Sequence, residues 1–246
     1  MRLLDHRHSL PRTGDRPEPR IWGELGQLAP RRRRYLTAEL LALFVGLPLL
    51  VLFARSRGVE LAVLPTLVVA SALLLTPYYA LHRRELGELL ALRRTPGEPR
   101  RILVLFAVSA LTLAGLTRLL WPELFFLLPR EHPASWLRVM AIYPVLSVLP
   151  QELLFRGFFF SRYGGLFGRR ATCIAASACV FGLAHVLFGS WISVVLSALG
   201  GVLFGVTYAR TRSVWPVALE HTLYGWLLFT TGLGEFFYDG GFAAAG

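Results

Sequence analysis

The chain is 246 residues long, 54% hydrophobic and only 17% charged, with a mean hydropathy of +0.53, a balance that excludes one soluble core under an ordinary polar surface. Its formal net charge of +11 is carried wholly by arginine, because the sequence contains no lysine. A pI near 10.7 raises nucleic acid as a partner, but the arginines flank apolar runs and accompany no nucleic-acid module, which argues against that class.

Residues 1–34 read as a flexible basic tail, in which Pro11, Pro17, Pro19 and Pro30 interrupt scattered charges and apolar content is too low to fold alone. Arg31, Arg32, Arg33 and Arg34 close the tail as a basic block at the membrane edge, where each gains about 1 kcal/mol from anionic lipid and helps to fix topology. Seven apolar runs follow, at 35–54, 59–81, 102–120, 136–160, 171–188, 191–209 and 214–233. Each approaches the ~20 residues that a helix needs to cross about 30 Å of hydrocarbon. The first is too long for a signal-peptide core and reads as an uncleaved span. The predicted fold is an all-α polytopic transmembrane bundle of about seven spans. The segment from Trp121 to Leu128 is apolar but too short to cross and reads as interfacial or re-entrant, with an eighth span left open. The chain then divides into the tail, N-terminal spans over 35–128 and a transmembrane core over 129–240.

The connecting segments set the orientation. With the N-terminus in the cytoplasm, 20 arginines fall inside and five (Arg55, Arg57, Arg118, Arg130 and Arg138) fall outside, Arg156 lying within a span. That asymmetry favours this orientation. Cys173 and Cys179 are six residues apart in one run, on different helical faces, and read as packing residues rather than as a disulfide or metal knuckle. Ser193, Ser197, Gly201, Gly205 and Ala209 recur every four residues and form a small-residue face for close helix packing.

Charged side chains in the bilayer core are costly unless they face protein or water, so each needs a reason to be there. Three late spans hold nearly all of them: Gln151, Glu152 and Arg156 in the fourth, His185 in the fifth, Glu220 and His221 in the seventh. Glu39 lies near a span end and reads as reaching the interface. Glu152 and Arg156 are four apart and share a helical face suited to a charge-assisted pair. Pro150 predicts a break that would place the Glu152 carboxylate at a new helix N-terminus. His185 follows Phe181 by one turn, and His221 adjoins Glu220 and stands near Tyr224. Two imidazoles and a carboxylate that converge in a bundle can activate water by general-base catalysis or through a metal. No HExxH is present and the spacing demands no zinc. A bound metal would draw on His185, His221 and Glu152.

In combination these groups resemble the CAAX-protease and bacteriocin-processing family of intramembrane endopeptidases, whose pattern is Glu-Glu-xxx-Arg, then Phe-xxx-His, then His-xxx-Asn on separate transmembrane helices. The sequence gives Gln151-Glu152-Leu153-Leu154-Phe155-Arg156, Phe181-Gly182-Leu183-Ala184-His185 and His221-Thr222-Leu223-Tyr224-Gly225, in the same order within about residues 136–233. The resemblance implies an endopeptidase that hydrolyses a peptide bond of a membrane-associated or lipidated protein; the sequence requires no cofactor and leaves a divalent metal such as zinc open. The family's water-activating glutamate falls on Gln151, which cannot act as a base, and its asparagine on Gly225, which has no side chain. Glu152 matches the second glutamate, as base or orienter, with Arg156 as its partner and His185 and His221 as water-positioning or oxyanion groups. Glu220 is an alternative carboxylate and Tyr224 an alternative donor. The losses at Gln151 and Gly225 keep open a catalytically silent relative that binds a membrane partner as a scaffold or immunity protein. A proton-coupled transporter is the third reading and predicts a continuous polar path. At about 1.5 Å per residue, Glu152 and His221 come out near 12 and 10 Å from the cytoplasmic ends of their spans and His185 near 21 Å, so a shared cavity is expected to open toward the cytoplasmic half. The expected location is a bacterial inner membrane.

Overall fold

A computed structural model describes residues 28–59, 61–92 and 95–238, and among them all regular structure is helical. The expected tail lies outside the described residues as far as residue 27. Six helices are long and apolar enough to cross a membrane. In chain order, α1 is Pro30–Ser56 and α2 Val63–Leu81, α3 is the short Arg83–Leu90, α4 is Glu98–Leu120, and α5 is the five-residue Leu127–Glu131. Then come α6 Pro133–Leu166, α7 Arg170–Phe188 and α8 Trp191–Thr211, and α9 Val214–Thr231. The chain is an integral membrane protein with an all-α polytopic fold. The seventh expected span, α9, has 18 residues but is not among the six. Its Glu220, His221 and Thr222 are buried inside the bundle, where an apolar surface is not required.

Helix starts follow the prolines. Pro30, Pro99 and Pro133 stand in the first turns of α1, α4 and α6, where a missing N–H costs no hydrogen bond. Because α1 begins at Pro30, Arg31 to Arg34 are helical, and the boundary expected between tail and first span moves upstream. Trp121 to Phe126 form turns rather than a span. The Phe126 N–H donates to the Thr231 carbonyl at 3.4 Å, so this segment is folded against the end of α9.

Pro150 does not break α6. The helix instead widens twice into π turns, over Pro144–Val148 and Leu153–Phe158. There the Leu149 N–H donates to the carbonyl of Pro144, five residues back, and the Phe159 N–H reaches that of Leu154. Prolines remove i to i−4 donors, and the looser i to i−5 pattern carries the helix past them. Glu152 therefore lies mid-helix, and the expected placement at a helix N-terminus is corrected. The Phe155 carbonyl in the second π turn accepts from the Ser177 hydroxyl of α7 at 2.8 Å.

The small-residue stripe of α8 faces α7. Ser193, Ser197, Gly201, Gly205 and Ala209 are all buried, and a Cβ on Gly201 would stand 2.9 Å from the Ala178 Cα. Reciprocally, a Cβ on Gly182 of α7 would meet the Ala198 Cβ at 2.8 Å. The two backbones can approach this closely because each contact pairs a glycine with an alanine, Gly201 with Ala178 and Gly182 with Ala198. Elsewhere, α1 is tied to α6 by Arg162, whose Nε and Nη2 each lie 2.8 Å from a Glu39 oxygen, so Glu39, near the span end, is paired and partly buried. Large apolar side chains of α1, α2 and α4, such as Phe53, Leu73 and Leu111, point outward to lipid.

Candidate active site

Helices α6, α7, α8 and α9 bring one acid, one imidazole and one guanidinium together inside the bundle. Glu152 and Arg156 are both fully buried, with Arg156 Nε 3.2 Å from Glu152 Oε2. The other carboxylate oxygen, Oε1, lies 2.7 Å from His221 Nδ1. Arg156 is held further by the carbonyl of Gly201 at 3.4 Å from Nη2, and by the rings of Phe181 and Phe204 at 4.4 and 5.3 Å from its Cζ. A guanidinium over two aromatic faces retains favourable electrostatics without water. The stripe on α8 thus does more than pack, because Gly201 lets Arg156 reach its backbone. With Glu152 accepting from Nδ1–H, His221 presents a lone pair at Nε2.

Nε2 is directed at a cavity of about 960 Å³ whose lining includes Tyr143, Gln151, His185, His221, Tyr224 and Gly225. The walls are mostly apolar and include no Asp or Glu among the described residues. Glu152 does not line the cavity, so its carboxylate reaches the space only through His221. Gln151, the adjacent residue, does line it: its Nε2 donates to the Ser147 hydroxyl at 2.8 Å, and its buried Oε1 has no hydrogen-bond partner. Adjacent positions on a helix point about 100° apart, and here that rotation separates the charged residue from the cavity and turns the amide toward it.

His185 shares the cavity but not the ion cluster. Its Nδ1 lies 2.8 Å from the Phe181 carbonyl one turn back, and its ring packs 4.8 Å from that of Phe181. Phe181 also meets His221 at 5.6 Å, so this ring separates the two imidazoles. Glu220 is elsewhere. It is fully buried in a network with Thr207 and Arg101, and Arg101 and Arg210 each place Nε 2.6 Å from Glu98. This network ties α4, α8 and α9 together away from the cavity, and Glu220 is not among the cavity's lining. The Tyr224 hydroxyl lies 3.2 Å from that of Ser109 and does not contact His221 by hydrogen bonding. A different residue does: the Tyr143 hydroxyl lies 3.1 Å from His221 Nε2, and its ring occupies the space beside Gly225, where an added Cβ would overlap it. Tyr143, Ser147 and Gln151 recur every four residues, a polar stripe that the sequence displays.

The cavity does not lie where depth predicted. Its lining comes from residues 43–51 of α1, 62–71 at the start of α2, 108–113 of α4, 135–155 of α6, 181–188 of α7, 196–204 of α8 and 221–229 of α9. Each helix contributes from its middle toward the end remote from the N-terminal end of α1. The expected opening toward the arginine-rich half is therefore corrected. His185 reaches the site because it stands near the end of α7 that lines the cavity, with its Nδ1 on the Phe181 carbonyl one turn back. The donors expected for a metal do not converge on one point: His221 Nδ1 is on Glu152, and the Phe181 ring lies between His221 and His185. Both ring nitrogens of His221 face protein partners, and no group of three or more His, Cys, Asp or Glu suited to an ion occurs among the described residues.

Residues 133–227 match the family model for type II CAAX prenyl endopeptidase Rce1-like proteins. No curated protein and no solved structure matches the chain.

Proposed function

We propose, from the match of residues 133–227 to the family model for type II CAAX prenyl endopeptidase Rce1-like proteins, that the chain is an intramembrane endopeptidase whose base is His221 oriented by Glu152, acting on a membrane-associated or lipidated protein. The observation that carries this reading is the 2.7 Å contact between Glu152 Oε1 and His221 Nδ1 beside a cavity large enough for an apolar anchor and a peptide end. His221 Nε2 takes a proton from water, the water oxygen adds to the scissile carbonyl, and the same proton passes to the departing amide nitrogen as the C–N bond breaks. Glu152 fixes the tautomer and stabilises the imidazolium, and Arg156 holds Glu152 in place. Gln151 hydrogen-bonds the peptide and His185 orients water from the far wall. The protein resides in a bacterial inner membrane, with the arginine-rich helix ends cytoplasmic.

The test is cleavage of an internally quenched peptide ending in a farnesylated cysteine and three further residues, by protein purified in lipid nanodiscs. His221→Gln is expected to lower kcat about 10²–10⁴-fold, the usual contribution of a positioned base. Glu152→Gln is expected to lower it in parallel, measured per folded protein because the variant also leaves the buried Arg156 without its partner. Full activity in His221→Gln would overturn the assignment. Cleavage that appears only in Gln151→Glu would identify the natural chain as a silent relative.

A further inference from the structure

Resting on that reading, we propose that Tyr143 is a further catalytic residue: its hydroxyl supplies the hydrogen bond to the developing oxyanion, from the space that Gly225 leaves free. Tyr143 was not singled out by any motif. It precedes the first π turn of α6, lines the cavity, and stands with its hydroxyl 3.1 Å from His221 Nε2. Its ring meets that of His221 edge to face, 82° between planes and 6.0 Å between centroids, and packs on Phe229 at 5.7 Å. These contacts fix the ring while its oxygen remains at the reacting nitrogen. Gly225 is what admits it, since any side chain there would collide with the Tyr143 ring.

The proton bookkeeping gives the hydroxyl two successive partners. In the resting site Nε2 carries a lone pair and the Tyr143 O–H donates to it. Nε2 has one lone pair, so the Tyr143 O–H must leave it before the attacking water's proton takes its place, and once protonated Nε2 no longer accepts from Tyr143. The carbonyl π bond opens at the same moment, and its electron pair goes to the oxygen, which becomes the new acceptor in reach. The hydroxyl then donates to that oxygen. As the tetrahedral intermediate collapses, the carbonyl re-forms, His221 gives its proton to the leaving nitrogen, and the Tyr143 O–H returns to Nε2. A donor that strengthens only as charge develops accelerates the chemical step without tightening substrate binding.

The experiment compares wild type, Tyr143→Phe, Gly225→Ala and the double variant, using the farnesylated quenched peptide in nanodiscs. Tyr143→Phe is expected to lower kcat about 10²–10³-fold, as loss of one oxyanion donor does, with KM within about twofold of wild type. Gly225→Ala, which displaces the ring, is expected to lower kcat in the same direction, and the double variant to lose no more than the worse single one. The second readout is the ¹⁵N resonance of His221 Nε2 in histidine-labelled protein, assigned with His221→Gln, which is expected to move downfield in Tyr143→Phe. Wild-type kcat in Tyr143→Phe, with the wild type active, would overturn the role of Tyr143 and leave the His221 reading intact. An unmoved resonance would also overturn it. A wild type that cleaves neither farnesylated nor plain peptide would overturn both readings.

Discussion

Glu152 has two partners and two jobs, and the balance between them decides what each substitution does. Its Oε2 faces Arg156 at 3.2 Å with both side chains fully buried, so removing either charge leaves the other uncompensated where water does not reach. Arg156→Met is therefore expected to cost about 3–5 kcal/mol, the usual penalty for breaking a buried pair, and the double variant Arg156→Met/Glu152→Gln to recover most of it. Denaturation of the variants in detergent micelles measures this. Equal stability of Arg156→Met and wild type would remove Arg156 from its supporting role. The pair was legible in the sequence because an acid and a base four apart in an apolar run need one another. The separation of Gln151 from Glu152 was legible only as an angle. Which of the two faced the cavity depended on the rotation of α6, and that is set by packing against α7, α8 and α9. Tyr143 escaped notice for a different reason: a lone tyrosine in an apolar span reads as packing until the empty side of Gly225 is found next to it.

At the level of elements, helix existence followed from apolar run length, but the starts did not: Pro30, Pro99 and Pro133 open α1, α4 and α6 upstream of the apolar runs, and proline misled again at Pro150. A proline interrupts the regular ladder, but it forces a break only if no other acceptor pattern is available. The carbonyls of Pro144 and Leu154 accept from Leu149 and Phe159 and keep α6 continuous, with Glu152 in the middle. The α8 stripe was readable from its four-residue repeat, whereas its connection to the ion cluster through the Gly201 carbonyl was not. That connection makes a packing substitution a functional one. In Gly201→Ala the new methyl would stand 2.9 Å from the Ala178 Cα, a contact that must push α7 and α8 apart and is expected to cost about 1–3 kcal/mol as overpacking does. Because the shift also moves an acceptor and the Phe204 ring that Arg156 uses, cleavage is expected to fall by more than the stability loss explains. Comparing unfolding in detergent with peptide cleavage for Gly201→Ala and for Ala184→Gly, outside the crossing, separates these effects. Unchanged stability in Gly201→Ala would show that the crossing tolerates a side chain.

For the molecule as a whole, two asymmetries point in opposite directions. The segments on the side of the α1 N-terminal end carry Arg83, Arg84, Arg100, Arg101, Arg169, Arg170, Arg210 and Arg212, and segments of that composition stay in the cytoplasm. The cavity is lined from the middle of the helices toward the other end, including Ser135 and Arg138 near the start of α6 and His185 to Phe188 near the end of α7. If both hold, the scissile bond is presented from the non-cytoplasmic half of the bilayer. Cysteines placed at exposed positions on the two sides decide the matter without any substrate, once Cys173 and Cys179 are replaced by alanine. In intact spheroplasts, Glu123→Cys in the segment between α4 and α5 is expected to react with a membrane-impermeant maleimide. Gly168→Cys, between α6 and α7, is expected to react only after permeabilisation. The reverse pattern would invert the bundle and place the cavity in the cytoplasmic half. Arginine asymmetry would then not be what orients this chain, and the anionic-lipid contact of Arg31 to Arg34 would lie on the opposite face. With the expected pattern, the substrate's apolar anchor must enter from the outer leaflet, so a peptide tethered to lipid and added to outward-facing vesicles should be cleaved while the same peptide enclosed inside should not.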